Sequence, residues 1–180
     1  MIPISSTKEI NKILRNILIK QSELPAKRIV DSLSTFGETL DKLLEKTIYD
    51  SYKTSDSVIL FELLDRDSSN NMSYTKEDST IKYQRSFEWK LIIYGNDSSD
   101  IATKIVARYR TQKIRDDLQN QGIYLEEVTE PTTFNEFKNN VIWLRNDLSI
   151  NITCEFEITQ IDDYHDYDIL SDLKIIKEGE

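Results

Sequence analysis

At 180 residues the chain has the length of one domain, and 38% hydrophobic residues suffice for a single core. Four Gly and three Pro exclude a collagen-like or linker protein, and no repeat is visible. The balance of 32 Asp plus Glu against 23 Lys plus Arg gives −9, the wrong sign for a protein that grips nucleic-acid phosphates.

The first residues hold no basic region leading to a long apolar run, so no signal peptide is expected. No stretch approaches the ~20 apolar residues that a membrane-spanning helix needs. Ser6-Thr7-Lys8-Glu9 is a capping box, and Ile10, Ile13, Leu14, Ile17 and Leu18 follow at helical spacing. This helix is expected to end near Ser22. Pro25 can open a second helix carrying Ile29, Val30 and Leu33, or lead into a short extended segment over 28–32. Phe36-Gly37 breaks the chain before 38–49, where Leu40, Leu43, Leu44 and Ile48 repeat as in a helix.

Residues 57–64 (SVILFELL) read as a central strand, apolar along almost its whole length. The polar stretch 65–80 is expected to be a loop or a protruding hairpin. In 81–94, Phe87, Trp89, Leu91 and Ile93 point one way, while Glu88, Lys90 and Ile92 point the other. These two strands are expected to pair antiparallel. Gly95, Asn96 and the Ser/Asp cluster turn the chain, and Ser98 or Ser99 can cap a helix carrying Ile101, Ala102, Ile105, Val106 and Tyr109 to about Gln119. Gly122 offers its end, and 123–128 is a short strand before Glu130-Pro131. Phe134, Phe137 and Val141 suggest a brief turn or helix over a sheet edge. In 141–158, Leu148, Ile150, Ile152, Cys154, Phe156 and Ile158 share one face, and Asp147, Ser149, Asn151, Thr153, Glu155 and Glu157 the other. The expected fold class is therefore α+β: one domain, a mostly antiparallel sheet, helices packed on one face and the other face wet. Residues 159–180 read as an acidic, Tyr-rich extension of a domain spanning 1–158, ending in a further strand or an arm that grips a neighbour.

Little here gathers into chemistry. Cys154 stands alone, which excludes a structural disulfide or Cys-based zinc site within one chain and suits synthesis in a reducing, intracellular setting. It is expected to be buried. Tyr164-His165-Asp166, with Asp162, Asp163 and Asp168, looks superficially like a metal cluster, but it holds the only His and lacks ligand spacing. A triad using His165 would rest on a chain end, a poor mount for catalysis. Gly37, Gly95, Gly122 and Gly179 are solitary, so no loop cradles phosphate. Glu126-Glu127 and Asp116-Asp117 read as ordinary surface. Arg108, Arg110, Lys113 and Arg115, on one helix with Asp100, Asp116 and Asp117 interposed, read as a solvated face. No enzyme, cofactor, metal or membrane association is expected.

Taken in order, several pieces resemble the tailed-phage neck-terminator-like family. They are a first helix closing in Glu23-Leu24-Pro25-Ala26-Lys27-Arg28-Ile29, the strand Val58-Ile59-Leu60-Phe61-Glu62-Leu63-Leu64, and Phe87-Glu88-Trp89-Lys90-Leu91-Ile92-Ile93-Tyr94-Gly95. The helix from Asp100 and Ile101, the passage from 106–115 through Gly122-Ile123, and Arg145-Asn146-Asp147-Leu148 complete them. The resemblance covers about 8–158, favours the extended form of 28–32, and makes 38–49 an inserted helix. It implies a virion protein without covalent chemistry, assembled in the host cytoplasm into a ring, commonly a hexamer. Such a ring caps the head-proximal end of a tail tube and joins it to the neck. Expected partners are further copies of the chain, tail tube protein, a neck or head-completion protein and, as an open alternative, the sheath. DNA passes through without specific binding. Arg145, Asp147, Tyr94, Arg108 and Tyr74 are the candidate contact residues; for Arg145 and Asp147 a plain surface ion pair is the competing reading. The rival functions are a head-closure or neck connector protein of similar fold, and an acidic inhibitor-type binding protein.

Overall fold

A computed structural model of the chain describes residues 4, 6–31, 48–49, 51–66, 72–75, 80–138 and 140–159. Helix α1 (Thr7–Ser22) starts where the capping box places it, with the Glu9 N–H donating to Ser6 Oγ at 3.3 Å. Its spacing buries Ile10, Leu14 and Leu18 on one stripe. Glu23 ends it in the left-handed region (φ 62), a single 3₁₀ turn (Ala26–Arg28) follows, and β1 (Ile29–Asp31) is extended. The extended reading of 28–32 thus holds for 29–31, while Arg28 belongs to the 3₁₀ turn and Ser32 lies outside the described residues.

Strand β2 (Val58–Asp65) lies between β1, parallel, and β4 (Thr80–Tyr94), antiparallel. The polar stretch before β4 carries β3 (Met72–Thr75), paired antiparallel with the start of β4 as a hairpin. After β4 come α2 (Ser98–Tyr109), α3 (Gln112–Gln119) and β5 (Ile123–Val128), then β6 (Thr132–Lys138) and β7 (Val141–Thr159). The main order is β1-β2-β4-β7-β5, with β6 also paired to β7. Except for β1 against β2, these strand pairings are antiparallel. The three α-helices among the described residues lie on one face of this open sheet. Between them and the sheet sits the main core, including Phe61, Phe87, Trp89, Tyr109, Ile150 and Cys154. The burial expected for Cys154 is found, and it pushes the thiol pKa up to about 12.

Three local expectations are corrected. The helix expected to run unbroken to Gln119 is two helices. Thr111 is extended (ψ 146), and its Oγ1 donates to the Arg108 carbonyl at 2.6 Å, diverting an acceptor that a continuing helix would use. The basic residues are split accordingly, Arg108 on α2 and Lys113 and Arg115 on α3. Neither Ser98 nor Ser99 caps α2: Asp97 holds the cap position without a side-chain bond, and Ser98 lies buried inside the first turn. Finally, Phe134, Phe137 and Val141 are not a turn or helix. They belong to two paired strands, β6 and the beginning of β7.

The face away from the helices is polar along most of its length. Ser86 and Thr153 hydroxyls bond at 2.9 Å, and Ser149 Oγ donates to Glu88 at 2.5 Å. At one end it turns apolar: Val58, Leu60, Ile92, Tyr94, Trp143 and Ile48 form a second, smaller cluster. The helix expected over 38–49 lies outside the described residues apart from Ile48 and Tyr49, which pack in that cluster. Residues 67–71, 76–79 and 160–180, His165 included, also lie outside.

Candidate functional site

Strand β7 is longer than its neighbour β4. Their register is unbroken from Thr80 opposite Thr159 to Tyr94 opposite Arg145, where β4 stops at Gly95. Gly95 has φ +114, and a Cβ there would sit 2.6 Å from the Asp56 carbonyl oxygen, so only glycine can turn the chain here. Residues 141–144 of β7 continue past this end paired with β6, the Leu144 carbonyl accepting from the Gly95 N–H at 3.1 Å. Together they form a two-stranded arm, turned at Asn140 in the left-handed region (φ 60).

The arm leaves the sheet through an irregularity. Val128 pairs with Ile150, but Thr132 pairs with Asp147, so one extra residue is accommodated around Glu130-Pro131. Proline has no N–H to lose at such a bulge. Thr129 secures the strand just before it, its N–H donating to the Ser149 carbonyl at 2.9 Å while the Ser149 N–H donates to Thr129 Oγ1 at 2.8 Å.

On the face away from the helices, the base of the arm is held by an aromatic and ionic cluster. Tyr94, fully buried, meets Tyr49 and Trp143 edge-on at 6.2 and 6.3 Å, and Tyr49 meets Trp143 at 5.3 Å. The Tyr94 O–H donates to Glu136 Oε2 at 2.9 Å. Arg145 donates to both oxygens of Asp147, at 2.7 and 2.6 Å, and lies 3.6 Å from Glu136. Its guanidinium also sits over the rings of Phe134 (5.6 Å) and Tyr94 (5.9 Å). The hydrogen bonds to Asp147 hold the Arg145 pKa above its ordinary value, and burial raises those of Tyr94 and, to about 12, Tyr49. Arg145 thus stays charged and both tyrosines stay neutral at neutral pH.

On the helix-side face, a polar seal closes the main core. Buried Asn146 donates to Ser98 Oγ at 2.9 Å and accepts from Thr133 Oγ1 at 2.7 Å. Beyond it, the same face of the arm carries Leu144, Ile142 and Phe137, with Ile142 60% and Phe137 68% exposed. All the large exposed hydrophobic residues among the described residues (Phe134, Phe137, Val141, Ile142 and Leu144) are on this arm. Soluble monomers rarely gather such residues without a use for them.

Of the candidate contact residues, the structure brings Arg145, Asp147 and Tyr94 together at the base of the arm. Arg108 lies on the helix side, where it donates to the Gln21 carbonyl and to Glu23 Oε1 (2.5 Å), tying α2 to the end of α1. That contact lowers the Glu23 pKa. Tyr74 is on β3, at the opposite end of β4 from the arm. Sequence reasoning missed Phe137, Ile142 and Leu144. The available signal was two runs rich in β-branched and aromatic residues, TTFNEFK and VIWL, on either side of Asn139-Asn140. Among the described residues no group of three or more His, Cys, Asp or Glu could hold a metal ion, and no helix is long and apolar enough to cross a membrane.

Residues 29–178 match the family described as phage neck terminator protein. The chain belongs to that family. No curated protein matches it. All seven strands lie inside the matched range, α1 lies before it, and the match continues past β7 through residue 178. It therefore takes in most of the segment set apart in the sequence as an acidic extension. Membership in a phage neck terminator family assigns the chain to viral tail assembly and its place to the tail and neck of the virion. A structural role without catalysis is consistent with both the family and the sequence.

Proposed function

We propose that the chain is the repeating subunit of a ring, most simply a hexamer, that caps the head-proximal end of a phage tail tube and presents the joint to the neck. The observation that carries this is the projecting β6–β7 arm, which concentrates exposed apolar side chains beyond the end of a sheet whose own core is complete. A closed ring needs two different complementary patches on each subunit. The arm supplies one, and the bound Arg145, Asp147, Glu136 and Tyr94 cluster fixes its angle. Partners are then neighbouring copies, the tail tube protein and a neck or head-completion protein, with the sheath at the rim where a tail has one. The net charge of −9 suits a channel through which DNA slides without being held. In this arrangement 1–158 is the ring-building domain and 159–180 an acidic extension available for joining copies.

The test is tube growth. Adding the chain to polymerising tail tube protein should stop elongation, and electron microscopy should show a labelled chain at one tube end only. Label found on the head side of the neck, with tube growth unaffected, would instead identify a head-closure or connector protein. Capture of a single basic protein with no binding to tubes would favour an inhibitor.

A further inference from the structure

The outward side of α1 is basic. Lys8, Lys12, Asn16 and Lys20 follow at four-residue spacing opposite the buried Ile10, Leu14 and Leu18, and all four are exposed. The acidic residue of the helix is Glu9, which is half-buried, and Arg15 is turned to the Ile29 and Ala26 carbonyls. Among the described residues no carboxylate lies within ion-pair distance of Lys8, Lys12 or Lys20. In a chain of net charge −9, an unmatched row of ammonium groups on one helix suits an anionic partner.

The chain carries such a partner nearby. Residues 160–173, outside the described residues, hold Asp162, Asp163, Asp166, Asp168 and Asp172 and no Lys or Arg. They follow Thr159, which lies beside the start of α1. Ile4 bridges Phe156 in parallel; Ser6, the cap of α1, is two positions past that bridge, and Thr159, the end of β7, is three. At ~4.8 Å between paired strands and no more than ~3.5 Å per residue, Ser6 and Thr159 are within about 23 Å of each other. Lys12 is about 9 Å further along α1, hence at most about 32 Å from Thr159. The nine residues to Asp168 span about that distance when extended, before the two side chains add their own length, and Lys8 is nearer. So short a tether holds these carboxylates near α1 at an effective concentration of about millimolar, above that of free neighbouring chains.

We propose that residues 162–168 of the acidic extension dock along the outer face of α1 in their own chain, their carboxylates meeting Lys8 and Lys12. One exposed ion pair contributes little, but several on a short tether add up. The contact joins a helix that lies before the family match to a segment inside it. An extension seated here reaches a neighbouring copy only after leaving α1; this consequence rests on the ring reading, whereas the docking does not.

The test is zero-length coupling with a water-soluble carbodiimide, which joins a lysine amine to a carboxylate in contact with it. The full chain, half of it made with heavy nitrogen, is coupled without tail tubes, digested, and its joined peptides are weighed. Peptides linking Lys8 or Lys12 to 162–168 should form, each uniformly light or uniformly heavy. Their yield should fall at least about fivefold between about 10 mM and about 1 M salt, as screening shortens from about 30 to about 3 Å. Lys8→Glu with Lys12→Glu, both on the exposed face, should speed chymotrypsin cleavage after Tyr164 and Tyr167 by a similar factor. Joined peptides of mixed isotope in statistical proportion would put the extension on a neighbouring copy and overturn the proposal. So would coupling at other lysines with none between α1 and 162–168, or cleavage unchanged by the double reversal. Because tubes are absent, none of these outcomes depends on whether the chain builds a ring.

Discussion

Arg145 is bound within its own chain from several directions, by a two-pronged bond to Asp147, a Glu136 carboxylate and two aromatic rings. About four-fifths of its side chain is out of solvent, so this is not the exposed ion pair that contributes almost nothing. Arg145→Ala should cost roughly 2 kcal/mol in urea unfolding, because hydrogen bonds to a charged group are lost and Asp147 and Glu136 are left facing each other. Arg145→Lys should recover less than half of that, since an ammonium cannot reproduce the planar fork. A cost below about 0.5 kcal/mol for Arg145→Ala would mean that the cluster does not hold the arm. At this scale the sequence was partly legible. The alternation around Leu148 placed Asp147 on the polar side of its strand, and Arg145, two positions back, lies on the same side. Tyr94 was harder, because its cover comes from Tyr49 and Trp143, each more than forty positions away in the chain.

Elements with one buried face were readable, and elements without one were not. Helix α1, strand β4 along most of its length and the core part of β7 each press a single face into the main core, so their periods survive in the sequence, while β2, buried on both faces, shows as a continuous apolar run. The β6–β7 arm has no such face. Phe134, Phe137 and Val141 are spaced three and four apart, which imitates a helix although the residues straddle a strand turn. The break between α2 and α3 was masked similarly: Tyr109 and Ile114 are five apart where a continuing helix would use three or four, a single misstep within a polar stretch. Because the arm's strip contributes little to its own chain's fold, Phe137→Ser with Ile142→Ser should shift unfolding free energy by no more than about 0.5 kcal/mol. The same pair of substitutions should abolish self-association, read by light scattering in the presence of tail tubes. Loss of folding with those substitutions would show the strip to be part of the core.

For the whole molecule, the described part of the sheet and its helices enclose one main core, and among the described residues the exposed large hydrophobic side chains are on the arm. Its apolar surface is the one on which the proposed assembly rests, and it fits a phage neck terminator family. The α+β class, the antiparallel sheet and the one-sided helix packing were legible because burial on one side writes a period into each element. The proposed assembly surface was not, since a surface left uncovered by its own chain leaves no mark of burial in the sequence. Native mass spectrometry of the full chain recovered from tail tube ends tests this most directly. A single closed stoichiometry for the wild type, lost on Phe137→Ser with Ile142→Ser, is expected; a chain that stays monomeric at tube ends, or rings of unchanged mass in that variant, would contradict it.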